Sequence, residues 1–266
     1  MQINTTFNQL EEAIAVIPGS FNNITHWRAA TARLVDFLES LKRTENELCI
    51  IKSKTGVNSD HVTLSGLSIY TPDQRILIRN FSAKIAKGSR VLLVGPSGAG
   101  KSTVLRVIAG VWPYFNGQVE VPKPGSQIFL TQSAYLPMGT LRETLLYPHY
   151  DKPVDEGDLH ALLTRLNLPH LCEKLVTVED WQSTLSPGEC QRVVLIRAIL
   201  QKPAWLFMDE STSALDSASQ EMAYHMLREM LPETTIVSVG HRKELEAFHD
   251  CVIYIGPTDL DHSVAS

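Results

Sequence analysis

The 266-residue chain carries 24 lysines and arginines against 29 aspartates and glutamates, which gives a formal net charge of −5. With 44% hydrophobic and 20% charged residues, its composition is that of a globular protein large enough to bury its own core. The mild acidity argues against binding to nucleic acid through bulk charge, and the four cysteines lack the spacing of a zinc site or a C-x-x-C pair.

Two helical patterns occupy the first 45 residues. In the first, apolar residues recur every three or four positions along one helical face, with a break expected at Pro18-Gly19. This stripe consists of Ile3, Phe7, Leu10, Ile14, Ile17, Phe21 and Ile24. The second pattern runs from Trp27 to Leu41, and Asn22-Asn23 is its candidate N-cap.

Residues 46–61 are polar and are predicted to form a linker. Residues 1–45 are therefore an appendage, either a helical hairpin packed on the main domain or the end of a larger helical domain. The main domain is predicted to occupy residues 62–266.

The main domain has the pattern of an α/β fold. Segments 62–69 and 76–85 alternate in polarity and predict a hairpin around Thr71-Pro72-Asp73. Apolar runs predict buried strands at 90–94, 204–208 and 235–239, and helical patterns lie at 102–110, 158–166 and 190–201. Because buried strands separated by helices are typical of parallel sheets, we predict a parallel core sheet.

A glycine-rich segment lies between strand 90–94 and the helix that follows it. Its residues are Gly95, Pro96, Ser97, Gly98, Ala99, Gly100, Lys101 and Ser102, which match the pattern G-x-x-x-x-G-K-[ST]. Glycines let successive backbone N–H groups point at phosphate oxygens, and the helix N-terminus adds partial positive charge. We expect Lys101 to reach the β- and γ-phosphates and Ser102 to bind Mg²⁺, with Thr103 completing the nucleotide-binding segment.

The apolar strand at 204–208 is followed directly by Asp209 and Glu210. In open α/β sheets, ligands collect at the carboxyl ends of the strands. We therefore expect Asp209 to hold Mg²⁺, directly or through water, and Glu210 to act as the general base that polarises the attacking water.

Further segments narrow the class of protein. The segment Leu185–Arg192 precedes the Asp-Glu pair, and it resembles the region of the L-S-G-G-Q signature peptide of ATP-binding-cassette (ABC) ATPases. The segment Ser213–Asp216 resembles the D-loop of that family, with Asp216 as its acidic residue. His241 resembles the switch histidine, and Gln132 resembles the glutamine of the Q-loop.

Two signature positions depart from the usual residues. Pro187 stands where glycine is usual, and because it lacks an N–H it is expected to remove one backbone contact to the nucleotide. Glu189 stands where glutamine is common, although glutamate also occurs there in the family. Ser186 and the N–H of Gly188 remain available.

Other segments resemble one branch of the family, which contains peroxisomal fatty-acyl transporters and bacterial fused transporters for peptides or cobalamin. They are Thr71-Pro72, Gly110–Pro113, Tyr135–Glu143 and Leu146–Pro148. Trp27-Arg28-Ala29 and the helix after it resemble the segment that leaves the last membrane helix. The resemblance thus implies a transmembrane permease domain, fused to the ATPase in the full-length protein.

The resemblance also implies a fold and a mechanism. The fold is a P-loop NTPase with a mostly parallel core sheet, an antiparallel β subdomain and a helical signature subdomain, preceded by the helical appendage. ATP and Mg²⁺ are the implied cofactors. Two copies would sandwich two ATP molecules, most simply as a homodimer.

In this sandwich, Ser186, Gly188 and Glu189 act in trans on the ATP of the neighbour. His241 would hold the γ-phosphate and orient Glu210, while Gln132 would contact Mg²⁺ and water. Tyr70 is a candidate for stacking on adenine, or else a plain strand residue. The four tryptophans are core or interface candidates, and Trp181, just before the signature, is a candidate for shaping the contact with a membrane domain.

Two other interpretations stay open at this point. One is a soluble ABC ATPase that is not coupled to transport, and the other is a nucleotide-binding regulator without turnover. No apolar run reaches the roughly 18 residues that span a bilayer, so we expect the chain alone to be soluble. In the transporter interpretation, it acts at the cytoplasmic face of a membrane, with the bacterial inner membrane as the first candidate.

Overall fold

The computed structural model describes residues 23–42, 55–57, 60–123 and 125–256. The chain divides into two compact units, residues 1–50 and 51–266. Most of the first predicted apolar stripe and most of the predicted linker lie outside the described residues. Among the helices that are described, none is both long and apolar enough to cross a membrane.

In the first unit, residues 23–42 form helix α1, which confirms the second helical pattern. The Thr31 hydroxyl donates a hydrogen bond to the Trp27 carbonyl oxygen (2.7 Å), one turn earlier in the helix. Large apolar side chains along the helix are exposed. They are Ile24, Trp27, Leu34, Val35, Phe37, Leu38 and Leu41.

The second unit begins with a mostly antiparallel sheet in the order β1-β5-β2-β3. Its strands are β1 (Thr55–Val57), β2 (His61–Tyr70), β3 (Ile76–Ala86) and β5 (Phe115–Val121). The predicted hairpin is confirmed, since β2 and β3 pair antiparallel. The predicted linker differs from the structure at Thr55–Val57, which pair parallel with β5. A three-residue strand has too short a pattern to be distinguished from a linker in the sequence.

A parallel sheet with the strand order β11-β4-β10-β9-β6 forms the centre of this unit. Its strands are β4 (Arg90–Val94), β6 (Gln127–Leu130), β9 (Trp205–Asp209), β10 (Thr235–Val239) and β11 (Cys251–Tyr254). Every described pairing in this sheet is parallel. The predicted α/β fold class with a parallel core sheet is therefore confirmed, and β6 and β11 are additions to the predicted strands.

Both faces of the parallel sheet are buried, because neighbouring residues of each strand belong to different apolar clusters. In β4, Val91 and Leu93 pack toward the antiparallel sheet and helix α2 (Lys101–Ile108). Leu92 packs on the other side, among the remaining helices. Burial on both faces explains why these strands appear as continuous apolar runs in the sequence.

The other helices cover the second face of the sheet. They are α3 (Leu141–Leu146), α4 (Glu156–Arg165), α5 (Trp181–Thr184), α6 (Pro187–Gln201) and α7 (Ser217–Met230). Two 3₁₀ segments, Pro169–Lys174 and Lys243–Phe248, and a two-stranded pair, β7 (Gly139–Thr140) with β8 (Val178–Glu179), complete the unit.

Helix α6 begins at Pro187, three residues before the predicted start at residue 190. Proline is well placed at the first helical position, where its missing N–H has no intrahelical acceptor. Of the two alternatives for the tryptophans, Trp181 is a core residue, because its side chain is fully buried and its Nε1 donates a hydrogen bond to the Gly139 carbonyl oxygen (2.9 Å).

Candidate functional site

The glycine-rich segment connects the end of β4 to the first turn of α2. Gly100 is the N-cap residue of α2 and has a φ of +91°, a backbone conformation that residues with a Cβ rarely adopt. A Cβ at this position would lie 3.0 Å from Cδ1 of Ile78. No side chain caps α2, so the backbone N–H groups of its first turn are left for an external acceptor.

Lys101 lies at the start of α2 with only 4% of its surface exposed. Its Nζ donates hydrogen bonds to the carbonyl oxygens of Gly95 (3.0 Å) and Pro96 (2.9 Å). Burial lowers the pKa of the Lys101 ammonium, and the carboxylates of Glu210 and Asp209 oppose that shift. The Lys101 ammonium therefore lies beneath the loop, close to the carboxylates of Asp209 and Glu210, which were predicted to belong to the same site.

Asp209, the last residue of β9, lies next to Ser102. The Ser102 hydroxyl donates a hydrogen bond of 2.6 Å to Oδ1 of Asp209. Both side chains are half-buried. Oxygen atoms from two separate sequence motifs thus lie side by side, which fits the prediction that these residues share one Mg²⁺ ion.

Glu210 follows in a left-handed backbone conformation, with a φ of +49°. The turn interrupts the alternation of the strand, so the Glu210 side chain stays at the same edge of the sheet as Asp209. Its Oε1 lies 2.9 Å from Nε2 of His241, which follows β10. Because β9 and β10 are adjacent and parallel, their carboxyl ends bring these two side chains together.

Gln132 lies in an exposed loop after β6. It lines a cleft of about 560 Å³ together with Ser102 and Asp209. It also lines a second cleft, of about 390 Å³, together with Pro187 and Ser213. Gln132 is therefore placed between the predicted Mg²⁺ ligands and the start of α6.

The signature peptide forms the N-terminus of α6 and is capped within itself. The Ser186 hydroxyl accepts a hydrogen bond from the N–H of Glu189 (3.4 Å) and donates one to Glu189 Oε2 (2.7 Å). The same Oε2 accepts from the Ser186 N–H (2.9 Å), which completes a capping box. These bonds lower the pKa of Glu189, and His170 at 3.0 Å adds to the effect.

Asp216 caps the N-terminus of α7, where its Oδ1 accepts a hydrogen bond from the Ser219 N–H (2.7 Å). This bond and the Ser219 hydroxyl hold the pKa of Asp216 below its usual range. Gly188 is close to the same loop, since a Cβ there would lie 3.3 Å from the Ala214 carbonyl oxygen.

Tyr70 ends β2, and its backbone is fixed on both sides. Its N–H donates to the Tyr114 carbonyl oxygen (2.8 Å), and its own carbonyl oxygen accepts from Trp112 Nε1 (3.0 Å). The side chain is half-buried, so part of the ring is available to a ligand.

The site so far brings together the glycine-rich loop, two acidic residues and a histidine at the carboxyl ends of the parallel strands. Comparison with known proteins adds that residues 78–213 match the family model described as ABC transporter. The chain belongs to the ABC transporter family. It carries the ATP-binding, ATPase domain of that family, and its fold is the P-loop fold predicted above.

Relatives of the chain are ATP-binding proteins of ABC transporters. An uncharacterized ABC transporter ATP-binding protein of Synechocystis is 38% identical over 93% of this chain and 39% of its own length. ABC transporter D family member 1 of Dictyostelium discoideum is 34% identical over 81% of this chain and 31% of its own length. This chain therefore spans about a third to two fifths of these relatives.

A solved structure of a bacterial Atm1-family ABC exporter with ATP bound superimposes with a TM-score of 0.62. The two are 26% identical, and the match covers 75% of this chain and 37% of the exporter chain. Together with the D family relatives, this confirms the resemblance to ABC transporters on which the sequence interpretation rests.

Two polar residues near the ABC site were missed by sequence reasoning. Gln191 on α6 is 3% exposed and contacts the loops of both Gln132 and Ala214. Arg242 directly follows His241 and donates a hydrogen bond to the Leu215 carbonyl oxygen (3.0 Å). Contacts of this kind join residues far apart in the chain, so no local pattern announces them. The only available signal was that each lies next to a motif residue.

Proposed function

We propose that this chain is the motor domain of an ABC transporter, which hydrolyses ATP while two copies close around two nucleotides. The observation that carries the proposal is the pairing of Ser102 with Asp209 and of His241 with Glu210 at one sheet edge. Lys101 lies beneath the same edge. One chain therefore holds the phosphate-binding and water-activating groups together.

The residues at this edge fit a magnesium ion. Ser102 and Asp209 offer oxygen atoms, and Gln132 lines the same cleft. Mg²⁺ is commonly held by one or two protein oxygens together with phosphates and waters, so a larger acidic cluster is not required. When bound, Mg²⁺ would neutralise charge on the β- and γ-phosphates.

Hydrolysis follows from the placement of the other side chains. Glu210 accepts a proton from the attacking water, while the ring of His241 fixes the orientation of the carboxylate and faces the γ-phosphate. Lys101 donates to phosphate oxygens, supported by the backbone N–H groups between Gly95 and Thr103, of which Pro96 has none. Tyr70 provides a ring for stacking on adenine.

The signature peptide lies at the surface of the described unit, where a second copy can reach it. Ser186, Gly188 and Glu189 would then face the ATP of the partner, with Asp216 close by. A closed pair of identical chains has twofold symmetry, so each chain contributes to both sites. The permease would be supplied by a membrane domain preceding this unit, which places the ATPase at the cytoplasmic face of a membrane, with the bacterial inner membrane as the first candidate.

The experiment is the mass of the Glu210→Gln variant in solution, measured by light scattering with and without ATP and Mg²⁺. Without the base, ATP stays intact, and we expect the variant to shift from monomer to dimer only when both are present. Glu233→Gln, an exposed substitution of the same kind away from the site, is the matched control. A monomer under both conditions would contradict closure by this chain without further domains.

A further inference from the structure

The D-loop, residues Ser213–Asp216, is held from beneath by two side chains from other parts of the fold. The N–H of Ala214 donates a hydrogen bond to Oε1 of Gln191 (2.9 Å). The carbonyl oxygen of Leu215 accepts one from Nη2 of Arg242 (3.0 Å). Adjacent residues of one exposed loop are thus attached to two different elements.

Gln191 connects the D-loop to the Q-loop. It lies on α6, two residues after Glu189. Its Nε2 donates to the Gln132 carbonyl oxygen (3.4 Å), and its Oε1 accepts from the Ala214 N–H. The side chain is 3% exposed. A buried amide has few alternative partners, so movement of Gln132 or of α6 must be shared by Ala214 or break a hydrogen bond.

Arg242 connects the D-loop to the loop of the switch histidine. Its Nη1 donates to Oε1 of Gln220 (3.1 Å), while Nη2 binds Leu215. Gln220 is itself buried, and its Nε2 donates to the Thr212 hydroxyl (2.7 Å). The guanidinium is therefore held by a buried network of hydrogen bonds. Because Arg242 is the residue after His241, movement of the His241 backbone would also move this guanidinium.

We propose that Gln191 and Arg242 are positioning residues that set the D-loop jointly from the Q-loop, the signature helix and the His241 loop. The loop lies between the water-activating Glu210 and the surface that carries the signature peptide. This inference rests on the proposed function, because positioning matters for turnover only if two copies close on ATP. Neither side chain is required to touch the nucleotide.

The decisive variants remove these hydrogen bonds while keeping side-chain size. Gln191→Leu removes both of its contacts, whereas Gln191→Glu keeps an acceptor for Ala214 and loses the donor to Gln132. Arg242→Lys keeps the charge but cannot bind Gln220 and Leu215 as a fork. Gln201→Leu is the matched control, since Gln201 lies at the far end of α6 and bonds the Leu146 carbonyl oxygen.

The first measurement is hydrogen–deuterium exchange of the peptide 211–219, with and without ATP and Mg²⁺. In the unmodified chain and in Gln201→Leu, nucleotide binding is expected to slow exchange in this peptide. In Gln191→Leu and Arg242→Lys, exchange is expected to be faster without nucleotide and no longer to respond to it. Gln191→Glu should lose the response but keep most of the protection at Ala214.

The second measurement separates positioning from stability. For Gln191→Leu and Arg242→Lys we expect kcat to fall about 3- to 10-fold, the equivalent of one lost hydrogen bond, while KM for ATP stays within about twofold. Gln201→Leu should leave both constants unchanged. A variant that only weakened the fold would lower the unfolding temperature without uncoupling the exchange response.

The inference is overturned if ATP slows exchange in the D-loop of Gln191→Leu and Arg242→Lys as it does in the unmodified chain. That result is distinct from failure of the proposed function. If the unmodified chain binds ATP but neither hydrolyses it nor dimerises, the motor proposal fails, whereas the exchange comparison still decides whether these residues link the nucleotide to the D-loop.

Discussion

The two helices that begin in functional motifs, α2 and α6, differ in how their N-termini are capped. The N-cap of α2 is Gly100, with no side-chain cap among the described residues, whereas the N-cap of α6 is Ser186, which forms a complete capping box with Glu189. In the proposed ATP complex, the N–H groups of the first turn of α2 would bind a phosphate group. At α6, the Glu189 N–H already donates to the Ser186 hydroxyl, and the Ser186 N–H and hydroxyl donate to the Glu189 carboxylate. In the proposed dimer, the neighbour's nucleotide would therefore compete with that carboxylate for Ser186, whereas the Gly188 N–H lies outside the capping box. In the proposed dimer, ATP bound in cis would thus occupy an uncapped helix end, and ATP bound in trans would meet a helix end at which Ser186 already has an acceptor.

The largest effect is expected where the open site loses its cation. Lys101→Ala should weaken ATP binding by roughly 10- to 150-fold, since hydrogen bonds to charged groups contribute about 1.5–3 kcal/mol. Titration calorimetry or a fluorescent nucleotide measures this directly. Lys84→Ala, an exposed lysine on β3, is the control. Unchanged affinity in Lys101→Ala would remove the basis for the phosphate-binding interpretation.

The next effect concerns the backbone at the start of α2. Gly100→Ala and Gly98→Ala both place a Cβ on a residue with positive φ, which costs about 1–2 kcal/mol. Only at Gly100 does the Cβ also meet Ile78, at 3.0 Å, while nothing lies within 4 Å at Gly98. Denaturant unfolding should therefore show Gly100→Ala to be the less stable variant. Equal loss at both positions would mean that Ile78 yields freely.

At α6 the effect should separate stability from turnover. Ser186→Ala removes the cap and is expected to cost about 1 kcal/mol of unfolding free energy. ATP affinity of the separate chain should not change, because Ser186 lies outside the cis site. ATP hydrolysis should fall if the signature acts in trans. A fall in ATP affinity of the monomer would contradict the separation of the two helix ends.

The smallest effect is the pH dependence of the α6 cap. Because the folded pKa of Glu189 is lowered, its contribution to stability is complete above its unfolded pKa, about 4.3, and is lost as pH falls through the folded value. Thermal unfolding of Glu189→Gln should thus converge with that of the unmodified chain on acidification. Glu173→Gln, an exposed glutamate near His170, should show no such convergence.

The motifs could be recognised in the sequence because each is local. Residues from Gly95 to Ser102 and the pair Asp209-Glu210 follow short apolar runs, and such runs are the buried strands of a parallel sheet. The meeting of Ser102 with Asp209 then follows from the rule that strand ends gather ligands. The roles of the predicted site residues remain predictions for the variants above to test.

What the sequence did not disclose depends on contacts between distant residues. Thr55–Val57 form a strand because they pair with β5. Trp181 is buried in the core, where it donates a hydrogen bond to the Gly139 carbonyl oxygen. Pro187 was read as a departure from the signature pattern, although at the first position of α6 it suits the helix. The Pro187 outcome is local, whereas the other two depend on partners far along the chain, which local periodicity does not reveal.

The Lys101 ammonium already donates hydrogen bonds to two carbonyl oxygens of its own loop, and these bonds would contribute to the free energy of ATP binding. Two of the three N–H donors of Nζ are already bonded to the carbonyl oxygens of Gly95 and Pro96, so a phosphate group that engages more than one donor would compete with these carbonyls. The free energy of ATP binding would then include the difference between the hydrogen bonds formed with phosphate and those lost to the carbonyl oxygens. Substitutions that alter how strongly those carbonyls hold the ammonium would tune nucleotide capture from positions that never touch the nucleotide.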